Sequence, residues 1–111
     1  MIIYVAGKYS GDTVTEQMFN TYKAIDVGIE IMMKGHYPLI PHLSHFLDER
    51  MGNLGLPKKD KDWWYALDNK IIPYCQGFIK ISSSLGADME EQLATSLGLT
   101  MFKSVQEIPY A

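Results

Sequence analysis

Four short apolar runs alternate with amphipathic stretches along the chain. The first, Met1-Ile2-Ile3-Tyr4-Val5-Ala6, is apolar at consecutive positions, which predicts a strand buried on both faces, as in a parallel sheet. It ends in the glycine-punctuated turn Gly7-Lys8-Tyr9-Ser10-Gly11. From Val14 to Lys34, Met18, Tyr22, Ile25, Ile29, Met32 and Met33 recur at steps of one, three or four. That spacing predicts a helix of about six turns with these side chains as its core stripe, the methionines serving as filler. Thr13 or Asp12 suits its cap, and Gly35 its stop.

Tyr37-Pro38-Leu39-Ile40-Pro41 reads as a second strand, and its two prolines place it toward an edge. His42-Leu43-Ser44-His45 opens a loop or short helix through Asp48 and Met51. Asn53 to Asp62, rich in glycine, proline and charge, reads as a mobile loop. Trp63, Trp64, Leu67 and Ile71 predict a helix over Trp63 to Pro73, capped by Asp60 or Asp62. Phe78 to Ile81 reads as the third strand. The turn Ser82 to Ala87 follows, then a helix over Met89 to Leu97 that Gly98 ends. Leu99 to Phe102 is the fourth strand, and Ser104 to Ile108 a last helical turn.

Strands alternating with helices imply one α/β domain over 1–111, a three-layer, doubly wound parallel sheet of flavodoxin or Rossmann type with strand order 2-1-3-4. In that order the winding reverses between strands one and three, and ligands bind at the carboxyl ends of strands at such a point. The two loops there are Gly7 to Gly11 and Ser82 to Ala87.

Hydrophobic residues make up 47 % of the 111 positions, enough for a core and unlike a disordered chain. A net charge of −3 lacks the basic footprint of a nucleic-acid polymer partner. No signal peptide or membrane-spanning run is read, so no membrane partner is expected and a cytoplasmic location follows. The single cysteine, Cys75, reads as a buried small hydrophobe. His42, His45 and Asp48 fall short of three well-placed metal ligands, so neither metal nor cofactor is expected. Trp63, Trp64 and Tyr65 suit either stacking on a base or a subunit contact, and a homo-oligomer, most simply a dimer, is expected.

The serine turn carries the chemistry. Hydroxyls and backbone N–H groups at a helix N-terminus suit an anion such as a phosphate, and Glu90 sets a carboxylate at the same pocket. The other reading of these residues is helix capping, with Glu90 complementing the dipole.

Ser84-Leu85-Gly86-Ala87-Asp88-Met89-Glu90, continued by Ala94 and Gly98, resembles the S-x-G-x-x-x-E…A…G signature of the nucleoside 2-deoxyribosyltransferase-like superfamily, which includes deoxynucleoside 5′-monophosphate N-glycosidases. Ile3 to Gly11 is similar to that family's first strand and turn, and Asp68, eight residues before Gln76, matches its helix aspartate by spacing. Pro41-His42-Leu43 sits where nucleotide-directed members carry a histidine. Lys8 replaces a usual proline, and Gln76 a common aspartate. The resemblance implies cleavage or transfer of an N-glycosidic bond in nucleosides or their 5′-monophosphates. Glu90 would be the carboxylate nucleophile, Asp68 would hold the sugar or handle a proton, and Tyr4 would orient Glu90. Gly7, Lys8, Ser10, Gly11, His42, Ser84, Gly86 and Ala87 would bind substrate. Glu91, about 100° further round the helix, should face elsewhere. A nucleotide-binding module without turnover, or a hydrolase of another N-riboside, are the alternatives.

Overall fold

A computed structural model describes residues 1–111. Strands β1 (Ile2–Ala6), β2 (Tyr37–Leu39), β3 (Gly77–Lys80) and β4 (Thr100–Phe102) form one all-parallel sheet in the order β2-β1-β3-β4. The proline-bearing β2 is an edge strand, as its missing N–H group demands. Helices α1 (Val14–Met33), α2 (Ser44–Asn53), α3 (Lys61–Ile71) and α4 (Leu85–Ser96) make the connections. Single 3-10 turns at Pro41–Leu43, Ile72–Tyr74 and Val105–Glu107 complete the chain.

β1 is apolar at consecutive positions because each face of the sheet has its own core. Ile3 and Val5 point to one side and pack with Ala24 and Ile31 of α1, Ile79, Phe102 and Ile108. Tyr4 and Ala6 point to the other and pack with Ile72, Cys75, Phe78 and, from α4, Ala87 and Ala94. The Tyr4 and Phe78 rings stack at 5.7 Å across the β1–β3 pair. The result is three layers. No helix is long and apolar enough to cross a membrane.

The caps follow the sequence. Thr13 accepts from the Glu16 N–H and Asp60 from the Trp63 N–H. Gly35 takes φ +86° just past α1, a conformation that side chains with a Cβ resist. Gln76 serves structure: its Oε1 accepts from the Ile2 N–H at 2.7 Å, joining the starts of two strands.

Two expectations need correction. The helix after the serine turn begins at Leu85, not Met89, because the Ser84 side chain caps it by accepting from the Ala87 N–H. Leu85, Gly86 and Ala87 are therefore first-turn residues. The larger correction concerns α1. Its buried residues are Thr21, Ala24, Gly28 and Ile31, while Tyr22, Ile29, Met32 and Met33 from the expected core stripe are exposed. Small side chains let the helix lie close to the sheet edge, where Gly28 meets Ile40 and Pro38.

Candidate active site

The chain leaves β1 and β3 at their carboxyl ends, and the two departing turns flank one cavity of about 540 Å³. That volume lies within the usual range of small-molecule pockets. Gly7, Lys8 and Ser10 line it from the first turn, and Ser84, Gly86 and Ala87 from the start of α4. His42, Asp68 and Glu90 are on the wall as well, whereas Tyr4 lies buried behind it. Gly11 is not on the wall; it packs against Glu16, whose carboxylate accepts from the Asp12 N–H at 2.7 Å.

Three side chains from three elements meet on the side of the sheet facing α3 and α4. Tyr4, fully buried on β1, donates its hydroxyl to Glu90 Oε2. Glu90, one helical turn beyond Gly86, is itself buried. Asp68 comes from α3 and couples to both. Burial, then the Glu90 charge, push the Asp68 carboxyl up to about 7. Burial raises Glu90 as well, while hydrogen bonds from Tyr4 and Asp68 oppose that rise. Burial, then the carboxylate charges, hold the Tyr4 phenol far above its usual range, so it remains a donor. Burial thus raises both carboxyls, and Asp68 is the one held up to about 7, while the Tyr4 and Asp68 hydrogen bonds to Glu90 work against its rise. Glu91 faces away, 3.2 Å from Lys80.

The two turns are tied together. The Lys8 N–H donates to Ser82 Oγ at 2.8 Å. His42 Nε2 donates to the carbonyls of Gly7 and Lys8 at 3.1 and 3.3 Å. Burial lowers the His42 pKa, so the ring is neutral, with the Nδ1 lone pair buried and unpartnered. Several hydrogen-bonding groups of the serine turn are therefore already engaged: Ser84 and the Ala87 N–H cap α4, and Ser82 holds Lys8. The capping and pocket-lining readings of Ser84 are both realised.

The pocket also contains residues not marked by the sequence pattern. Lys58, Lys59 and Lys61, around the start of α3, line it together with Lys8. Their only signal was a lysine-rich stretch in an irregular segment. Tyr9 lines the wall as well, its hydroxyl held 2.9 Å from His45 Nδ1. Trp64 and Tyr65 face the cavity, and Trp63 packs edge-on against Trp64 at 4.8 Å between ring centres. Asp48 pairs with Lys58 at 3.4 Å. No group of three or more His, Cys, Asp or Glu side chains is placed to hold a metal ion.

Gly86 is set by close approach. A Cβ there would lie 2.9 Å from the Tyr65 ring. Gly86→Ala is expected to displace that ring and lower stability by about 1–3 kcal/mol, measured by urea unfolding; unchanged stability would show that the contact is slack.

Comparison with protein-family models, with curated proteins and with solved structures found no match to this chain.

Proposed function

We propose that the protein cleaves or transfers the N-glycosidic bond of a nucleoside or nucleoside 5′-monophosphate, as its resemblance to the nucleoside 2-deoxyribosyltransferase-like superfamily implies. The observation that carries this reading is the pair Glu90 and Asp68 in the wall of a cavity at the switch point of the sheet, with Tyr4 buried behind Glu90 and bonded to it. Breaking such a bond builds positive charge on the sugar ring. Glu90, anionic and oriented by Tyr4, attacks C1′ as the bond to the base breaks. Asp68 gives its proton to the leaving base nitrogen. Glu90 is then esterified to the sugar. Asp68, now a carboxylate, takes a proton from water or from a second base, which attacks C1′ and releases Glu90. Asp68 is protonated again and the cycle closes.

Substrate positioning follows from the same wall. Trp64 and Tyr65 offer faces for the base. The lysines at positions 8, 58, 59 and 61 offer charge to a 5′-phosphate, with the N-terminus of α4 beside them. The reading includes a homo-oligomer in the cytoplasm, where a lone buried thiol such as Cys75 stays reduced.

A nucleotide-binding module without turnover is the second reading. It is favoured by Lys8, which stands exposed on the pocket wall where the family pattern has proline. Incubation with a panel of nucleosides and monophosphates, with and without a second free base, separates the two. Released or exchanged base is expected. Nucleotide binding with no released or exchanged base across the whole panel would replace catalysis by binding.

A further inference from the structure

Most of the face of α1 expected to enter the core is exposed instead. Val14, Tyr22, Ile29, Met32 and Met33 are 65, 52, 51, 61 and 78 % exposed, and Met18 and Ile25 are half-buried among them. Next to α1, the turn at Pro41–Leu43 and α2 leave Leu43, Phe46 and Leu47 exposed. These exposed apolar side chains lie on neighbouring elements and form one patch of the kind that marks an interaction surface.

The ladder is also self-complementary. Met18 and Met32 stand seven residues to either side of Ile25, with the apolar Tyr22 and Ile29 between them and it. Two such helices crossing antiparallel would set Met18 against Met32 and Tyr22 against Ile29, an isologous contact. No charged residue interrupts the ladder. The charged flank, with Glu16, Lys23, Asp26 and Glu30, is mainly acidic, unlike the basic flank of a helix that lies on an anionic lipid surface. We infer that this face of α1 pairs with the same face of a second copy, across a two-fold axis near Ile25, to make a homodimer. The inference concerns a surface distinct from the pocket and stands whatever the pocket binds.

Sedimentation equilibrium of the full chain at micromolar concentration is expected to give the mass of two chains. Tyr22→Glu with Ile29→Glu should give one chain with an unchanged far-UV spectrum, while Trp63→Glu should remain a dimer. Ile25→Cys in a Cys75→Ser background should cross-link with a short bis-maleimide, which reads the contact even if the double variant fails to fold. A wild-type monomer would overturn the inference. So would a dimer that survives the double substitution, one that Trp63→Glu dissolves, no cross-link at position 25, or flotation of the wild-type protein with phosphatidylserine vesicles as a monomer.

Discussion

Glu90→Gln is expected to lower turnover by about a hundredfold or more on any substrate the wild-type protein processes. The amide keeps the shape of the side chain but removes the charge and the nucleophilic oxygen that the proposed mechanism requires. Ligand affinity should change far less, because the lysines and aromatic rings of the wall are untouched. Glu91→Gln is the internal control. Its carboxylate lies against Lys80, outside the cavity, so activity should be nearly intact. Asp68→Asn should fall between the two, since an amide still holds a hydroxyl but gives no proton. Steady-state rates for the three variants, with affinities measured in parallel, test the ranking. Equal rates for wild type and Glu90→Gln would remove Glu90 from the chemistry.

Asp68→Asn should stabilise the fold as the solution becomes alkaline. With a pKa of about 7 in the folded chain against 3.8 for the free side chain, Asp68 retains its proton on folding between those values. Stability from this group is therefore complete below about pH 4 and is lost as pH rises through about 7. Taken whole, the shift is worth about 4 kcal/mol. Partial exposure and coupling to Glu90 reduce the expected gain for the variant to about 1–2 kcal/mol at pH 8, with little difference near pH 4. Denaturant unfolding at the two pH values measures it, and parallel curves for the two proteins would show that Asp68 ionises freely. A carboxyl held in a site that disfavours its charge costs the fold stability at alkaline pH.

The order of strands and helices was readable because buried parallel strands leave uninterrupted apolar runs, and Met1 to Ala6 and Phe78 to Ile81 are such runs. Tyr4, Asp68 and Glu90 were found by motif and spacing. The structure adds that a hydrogen bond joins Tyr4 to Glu90 and that Asp68 is coupled to both. Periodicity failed on α1 for a physical reason. It follows the largest apolar side chains, whereas the helix packs on the sheet through Thr21, Ala24, Gly28 and Ile31. An exposed apolar face and a core face look alike to a pattern that follows side-chain type alone. Lys58, Lys59 and Lys61 were not singled out because loop residues carry no period. Their place on the wall depends on the path of the irregular connection between α2 and α3.

The bond from the Lys8 N–H to Ser82 Oγ divides labour around the cavity. It ties the strand-end turns into one rigid lip, so a ligand meets donors and carboxylates that need little ordering on its arrival. The wall also includes Lys58 and Lys59, from a connecting segment without regular structure. What is done to a ligand is built into the sheet edge, and which ligand is admitted is left to a stretch that hardly touches the core. Exchanging residues 54–59 for another sequence should therefore redirect the pocket toward different molecules while the wall carboxylates, and the fold that holds them, persist.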